Sequence, residues 1–549
     1  MLTAPPVAAA EAIEDLSLED LLNMKTTVAA REERPLREAP AVLTVVTRDE
    51  MLAVGARDLL DVLHLVAGFS LARDVESIVD AGFRSVWGHE GKILLMLDGQ
   101  ETNEPLYGSL QLGNHFLLAN VDRIEIVRGP GSALYGGNAE LAVINIISRS
   151  PGEMRGFSVQ ADYGQFPRLD AGAYARRTLQ LSYGEALTPD LEVSAAVVGG
   201  QGHFSDGVVR DFAGDAFVGL GPNGRSDPWG ANLALRYGAM RLRFIYDRYN
   251  VTDRYPYDSI TDHAIPLSFE TLLADAQVEV PVSEGITLLP RVGTRRQRPW
   301  CAIEPTLTNF DNDYYDKSVW RTYAALTAQA ALAEKVSLQV GAQATFDHAS
   351  VDLGDGSLNY GANQPFDPSG RTTVTYQNLA AFAQLGWDSP LANVTAGARF
   401  ERHSRYGASF VPRLGLTKVI DGWHFKALAS SAFRAPTIEN MRITPSLSPE
   451  RTLGFEIETG YILTENVFVA LNAYDLTIRD PIIYSVGPDG SDLYSSRPRA
   501  GARGVELDLR LKGGWGFVTG TYSYANSAGK NEVPEYEVPG ASDRVLGLP

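Results

Sequence analysis

Beyond Pro151 the apolar and polar residues alternate with a period of two. Trp229, Ala231, Leu233, Leu235 and Tyr237 fall on one face, with Asn232 and Arg236 on the other. Leu338, Val340, Ala342, Ala344 and Phe346 oppose Gln339, Gln343, Thr345 and Asp347, and Val505, Leu507, Leu509 and Leu511 oppose Glu506, Asp508, Arg510 and Lys512. Successive side chains of a strand point to opposite faces, so this pattern predicts antiparallel β-structure with one apolar and one charged face. A soluble sandwich puts the charges outside; a large membrane barrel puts lipid outside and water in the lumen. Alternation alone does not choose between them. Three turn-rich segments, Tyr249–Glu270, Pro299–Lys317 and Gly354–Gly370, interrupt the strands and read as long loops.

The first 150 residues follow other rules. Leu16, Leu18, Leu21 and Leu22 predict a short amphipathic helix with Ser17 as its cap and Asp20 three residues on. Pro40–Thr47 reads as a strand. Arg48–Val66 reads as one helix, with Leu52, Leu59, Leu60, Val62, Leu63 and Val66 on an apolar stripe and Gly68 ending it. Ile93–Leu97 is a continuous apolar run, as a strand buried on both faces requires.

Composition narrows the classes. With 549 residues, two or more domains are expected, and a net charge of −19 argues against a nucleic-acid partner. The single cysteine, Cys301, excludes an intrachain disulfide framework and cysteine-based zinc clusters. No apolar run reaches the roughly 18 residues of a membrane-spanning helix, which says nothing about a barrel. The 23 Tyr and 21 Phe suit aromatic girdles, and a soluble β-protein as well.

The decisive stretch is Val121–Ser148. Arg123-Ile124-Glu125-Ile126-Val127-Arg128-Gly129-Pro130 leads through Ser132-Ala133-Leu134-Tyr135-Gly136 to Val143-Ile144-Asn145-Ile146-Ile147: strand, glycine-rich turn, strand. A dinucleotide fingerprint fails, because its third glycine would fall on Leu134, and no Gly-Lys-Ser/Thr follows for a phosphate loop. The stretch resembles the plug domain of TonB-dependent outer-membrane receptors, with Leu141-Ala142 where that family often carries a glycine pair. Gly82-Phe83-Arg84-Ser85, Ile93–Gly99, Phe433-Arg434-Ala435-Pro436-Thr437, Pro449–Thr452 through Glu456, and Gly504-Val505-Glu506-Leu507 resemble further family motifs, with Ser85 standing where the family has glycine.

The resemblance implies a mainly β chain, an antiparallel transmembrane β-barrel of the family's 22-stranded type with an N-terminal α/β plug in its lumen. Residues 1–39 form a periplasmic segment, 40–150 the plug and 151–549 the barrel. By the same resemblance, Arg84 and Arg128 of the plug dock on Glu456 and Glu506 of the wall. Residues Thr26, Thr27, Val28, Ala29 and Ala30 are the candidate TonB box, a β-prone segment that pairs with its partner by edge addition; a plain linker is the alternative. The loops at Val86–Gly91 and Glu104–His115 rise towards the outside of the cell, and exposed Trp87, His89, Glu90, Tyr107 and Gln111 are candidate ligand contacts; packing against the wall is the alternative. Roughly 17 strand-like segments follow the plug where closure wants an even number, so the sequence is expected to stop short of the closing strands. Met1–Ala12 lacks the basic start of a secretory signal and reads as the tail of one.

No catalytic constellation is present: the eight histidines show no ligand spacing, and there is no Gly-x-Ser-x-Gly elbow. No metal site and no cofactor are expected. The expected partners are the TonB energy-transducing complex, a small metal-chelate ligand and outer-membrane lipid, with the chain a monomer. The function the resemblance implies is import of a scarce solute across the outer membrane of a Gram-negative bacterium, a ferric siderophore first and cobalamin second. A receptor of the same fold that only signals or adheres is the rival, and a soluble β-rich glycan-binding or hydrolytic protein is the third reading.

Overall fold

The computed structural model describes the chain except residues 1–16, 27, 30–32, 74–78, 89, 168–174, 211–216, 254–263, 303–315, 354–363, 488–490, 538–545 and 547–549. The centre of the N-terminal domain is a five-stranded sheet in the order Leu43–Thr47, Val121–Arg128, Ala142–Ser148, Ile93–Leu97, Gln100–Glu101. Val121–Arg128 and Ala142–Ser148 run antiparallel, and Ala142–Ser148 pairs parallel with Ile93–Leu97. Ile93, Leu95, Ile124, Ile126 and Ile144 on one face, and Leu94, Met96 and Val143 on the other, are at most 3% exposed, so these apolar runs meet protein on both faces. Phe69–Arg73, Val79–Phe83 and Val86–Trp87 make a second, three-stranded sheet.

The single helix expected over Arg48–Val66 is two helices, Arg48–Ala53 and Leu59–Leu63. Gly55 at φ +68° turns the chain out of the first, and the Asp58 carboxylate caps the second by accepting from Asp61 N. A continuous apolar stripe hid that break. Upstream, Leu18–Leu22 forms the expected helix, with the Ser17 side chain accepting from Asp20 N and the Asp20 carboxylate accepting from Ser17 N.

From Gly156 to Asn526 the described residues build one antiparallel sheet of eighteen strand segments, meandering between neighbours in sequence. Two segments, Ile265–Val278 and Val280–Ser283, both pair with Ile286–Ala302, so the sheet is one strand narrower than that count. Among the described residues its end strands, Gly156–Gly164 and Gly516–Asn526, each pair on one side only. The polarity is inverted relative to a soluble protein. On Glu450–Thr464, Phe455 is 50% and Ile457 67% exposed, while Thr452, Glu456 and Glu458 are at most 5%. Apolar faces turned outward and charges turned inward are what a bilayer outside and a filled lumen demand.

Two of the predicted loops are shorter than expected. Tyr249–Asp253 and Ile265–Glu270 remain paired strand, in register from Tyr249↔Phe269 to Asp253↔Ile265. Their Asp, Asn and Tyr content masked the alternation, but Tyr249, Ile265, Leu267 and Phe269 turn inward and pack with Trp300. Pro299–Ala302 is likewise strand. The remainder of those segments at 254–263 and 303–315, and the stretch 354–363, lie outside the described residues.

The N-terminal domain occupies the concave side of the large sheet. Its side chains and carbonyls meet strands widely spaced along the barrel sequence: Arg176 with Asp58, Arg291 Nη2 with Gly99 O at 3.0 Å, Lys426 Nζ with Ala41 O at 2.9 Å, and Arg510 Nη2 with Val45 O at 2.9 Å.

Candidate functional site

The site grows from a strained hairpin. Phe83 pairs with Val86, leaving Arg84-Ser85 as a two-residue turn in which both residues have positive φ, +52° and +65°. Such turns favour Asn-Gly, because side chains resist the left-handed region. Here the strain aims Arg84 at the wall. Its Nε lies 2.8 Å from Glu506 Oε1 and its Nη2 2.7 Å from Glu456 Oε2, with the guanidinium 4.1 Å above the Tyr474 ring. Arg128 reaches Asp508 at 2.7 Å and Glu506 at 3.5 Å, and Glu458 at 3.9 Å. Asn472 donates to Glu506 at 3.1 Å and Glu456 at 3.4 Å. Two plug glycines make room for the acids. A Cβ on Gly129, φ +133°, would sit 2.3 Å from Glu456 Oε1, and one on Gly68, φ +92°, 2.8 Å from Glu506 Oε1. Both arginines are at most 2% exposed. Burial opposes their charge, but the wall carboxylates outweigh it and raise both guanidinium pKa values.

Nearer the outer ends of the strands lies a second buried network. Arg434 Nε bonds Glu450 Oε1 at 2.7 Å and its Nη1 bonds Glu90 Oε2 at 3.0 Å; Lys92 Nζ lies 3.3 Å from Glu450 Oε2. Glu140, fully buried, bonds Thr452, and its second carboxyl oxygen has no hydrogen-bond partner. Burial, reinforced by Glu450, pushes Glu140 up to about 8.

A third contact holds the apical loop. His115 Nδ1 is 2.7 Å from Gln111 O, and its Nε2 is 3.0 Å from both Asp247 carboxylate oxygens. Both partners only accept, so the ring donates from both nitrogens and is the imidazolium. Burial would lower its pKa; Asp247 outweighs burial and raises it. Tyr249 donates to Gly113 O at 2.6 Å and Asn114 Nδ2 to Ser226 O at 2.7 Å. Within the loop, the Glu104 carboxylate gathers the amides of Leu106, Tyr107 and Ser109 at 2.7, 3.0 and 3.1 Å.

Beside the plug runs a cavity of about 410 Å³, between the sheet edge at Asp98–Glu101 and the wall. Arg295, Arg321, Arg399, Tyr323 and Tyr406 face it from the barrel and Tyr135 from the plug. The cations are matched: Arg321 forks onto Asp347 at 2.6 and 2.7 Å, and Arg295 approaches Glu101 at 3.2 Å. The helix Ile438–Ile443 roofs it, with Ile438 N and Glu439 N each donating at 3.0 Å to Pro105 O and Leu106 O of the plug.

The expected ligand contacts fall differently. Trp87 is not exposed on a loop: it ends a strand of the three-stranded sheet, paired with Gly82 by the hairpin and 3% exposed. Glu90 is also buried, its carboxylate taken by Arg434. Tyr107 is half-buried, with Lys317 Nζ 5.7 Å from its ring centre, and Gln111, also half-buried, donates to Ser109 Oγ at 2.9 Å. His89 lies outside the described residues, as do Thr27 and Ala30. Thr26 pairs with Arg34, and Val28 and Ala29 are 1% and 2% exposed. Glu458, Asp508 and Asn472 were missed, although Glu458 and Asp508 lie two residues from Glu456 and Glu506 and so share their lumenal face.

The sequence model of the TonB-dependent receptor plug domain matches residues 35–143, and that of the TonB dependent receptor-like β-barrel matches residues 155–548. The chain belongs to the TonB-dependent receptor family. It is 25% identical over 484 residues to the vitamin B12 transporter BtuB of Vibrio vulnificus, covering 84% of this chain and 71% of that one. It is 23% identical over 496 residues to the iron-regulated outer membrane virulence protein of Vibrio cholerae, covering 83% and 68%. Among solved structures, the ferric enterobactin receptor PfeA of Pseudomonas aeruginosa superposes with a TM-score of 0.71 at 16% identity, covering 88% of this receptor and 80% of that chain. The siderophore receptor PirA of Acinetobacter baumannii gives 0.70 at 15% identity, covering 90% and 81%. These likenesses share the fold of the receptor, and its relatives are transporters and receptors rather than enzymes.

Proposed function

We propose that this receptor captures a ferric siderophore at the outer face of the outer membrane and imports it with energy from the TonB complex. The observation that carries the reading is the roofed cavity beside a plug held by discrete, buried side-chain pairs. Breaking a few contacts widens an existing gap, and the plug need not unfold. Tyrosines and charge-paired arginines along that gap suit an oxygen-rich chelate. Arg84 and Arg128 on Glu456, Glu506 and Asp508 are the docking pairs, Thr26–Ala30 the segment offered to TonB, and Tyr107 and Gln111 belong to the face that receives the ligand, shaped from beneath by Trp87 and Glu90. The likeness to a vitamin B12 transporter over most of the chain favours a second reading, import of cobalamin.

The test is uptake in an outer-membrane-receptor-deficient host, with and without a working TonB. Cells expressing the chain are offered a panel of radio-iron siderophores and radiolabelled cyanocobalamin. TonB-dependent iron accumulation supports the first reading and cobalt accumulation the second. Binding without TonB-dependent uptake of either removes the transport reading in favour of a signalling receptor.

A further inference from the structure

An edge-adding partner needs free backbone donors and acceptors on the strand it joins. Among the described residues of the candidate TonB segment several of those groups are already in use. Lys25–Thr26 pairs antiparallel with Arg34–Pro35. Val28 N donates to Glu125 Oε2 at 3.3 Å, Val28 O accepts from the Tyr135 hydroxyl at 2.8 Å, and Ala29 O accepts from Arg413 Nη2 at 2.8 Å. The side chains of Val28 and Ala29 pack in one apolar cluster with Leu18, Leu22, Leu43, Val127 and Val143. Val28 and Ala29 are therefore folded into the seam between plug and wall.

We propose that Tyr135 is a positioning residue that withholds Val28 and Ala29 from TonB. Of the three groups that hold this backbone, Glu125 is fully buried in the plug and Arg413 stands on the wall; Tyr135 alone also borders the 410 Å³ cavity. It stands on a four-residue helical turn, Ser132–Tyr135, which ends at Gly136 with φ +91°. Gly136 in turn lies against Glu401, where an added Cβ would come within 2.7 Å of the carboxylate. A displacement at the cavity wall thus reaches the phenol directly, and loss of its hydrogen bond to Val28 O frees that carbonyl for strand pairing. This inference rests on residues 26–30 being the TonB-binding segment.

The test compares the full-length receptor with Tyr135→Phe and with Tyr323→Phe, a second tyrosine hydroxyl on the same cavity that bonds Gln100 and Asp275 instead. Hydrogen exchange is followed by mass spectrometry over residues 24–36 and over Val121–Arg128, and binding of the purified TonB C-terminal domain is measured on the same samples. Tyr135→Phe should speed exchange at Val28 and its neighbours on the order of tenfold, the loss of one ordinary hydrogen bond. It should tighten TonB binding and leave Val121–Arg128 protected. Tyr323→Phe should change none of these. Unchanged exchange at residues 24–36 in Tyr135→Phe overturns the latch. Equal loss of protection at Val121–Arg128 also overturns it, because the residue is then a general support of the plug. Faster exchange with unaltered TonB binding overturns the assignment of the segment to TonB, independently of any uptake result.

Discussion

Arg84→Met isolates the docking pairs. The substitution keeps an unbranched apolar stem against Tyr474 and Phe83 and removes the charge. It leaves Glu456 and Glu506, 5% and 0% exposed, without the cation that lies within 2.8 Å of both. Removing one partner of a buried pair costs about 3–5 kcal/mol, most of it the penalty of the stranded charge. Arg128 offsets part of this, since it is 3.5 Å from Glu506, but its shortest contact is with Asp508. The lower end, about 3 kcal/mol, is therefore expected for opening of the plug, or on the order of 100-fold faster exchange of its slowest amides. The assay is hydrogen exchange at Val121–Arg128 and Ile93–Leu97 in the folded receptor, where the rate reports local opening. The triple variant Arg84→Met, Glu456→Gln, Glu506→Gln discards the stranded charges and should exchange more slowly than Arg84→Met alone, because neutral groups need no counterion. An acceleration below about fivefold, roughly 1 kcal/mol, would show that water already screens these groups and that the pairs do not hold the plug. A triple variant worse than the single one would show that the acids' contacts with Arg128 and Asn472, and not only with Arg84, hold the plug.

Three further outcomes follow from the same geometry. Gly129→Ala combines a positive φ with a Cβ 2.3 Å from Glu456; it should weaken plug docking by about 2 kcal/mol, read by the same exchange measurement, and wild-type protection would refute the close approach. Glu140 is raised from 4.5 to about 8, so its contribution is full below pH 4.5 and lost as pH rises through about 8; plug protection corrected for intrinsic exchange should fall across that window by about 1 kcal/mol per pH unit at most, and Glu140→Gln should flatten the fall, an unchanged slope counting against the assignment. His115 is raised above its ordinary 6.5, so its bond to Asp247 is fully present below pH 6.5 and lost as pH rises through the raised value; its ring resonances should titrate above 6.5 and move down in Asp247→Asn, and a wild-type titration at or below 6.5 would remove the imidazolium.

Periodicity in the sequence determined the strands, because from Thr452 to Glu458 each residue turns either outward or into the lumen and the alternation records which. The motif around Arg128 carried the family resemblance, and with the motifs at Arg84, Glu456 and Glu506 that resemblance named four charges, which the structure brings together. Other features were decided only by folding the chain up. The break at Gly55 was hidden because Leu52 keeps the apolar spacing of Leu59, Val62 and Leu63, although it is 54% exposed and the first short helix buries Met51 instead. Tyr249–Asp253 and Ile265–Glu270 were hidden as strands because their Asp, Asn and Tyr content masked the alternation, although Tyr249, Ile265, Leu267 and Phe269 pack inward with Trp300. The sequence placed Trp87 and Glu90 on a loop, but the two-residue turn at Arg84-Ser85 pairs Trp87 with Gly82 in a buried strand, and Glu90 meets Arg434, 344 residues away. That the Val28 carbonyl meets Tyr135, 107 residues later, was likewise beyond any local pattern. A side chain's type and period are written in the sequence, whereas its partner is fixed by which surfaces meet when the plug enters the lumen, and that depends on every strand at once.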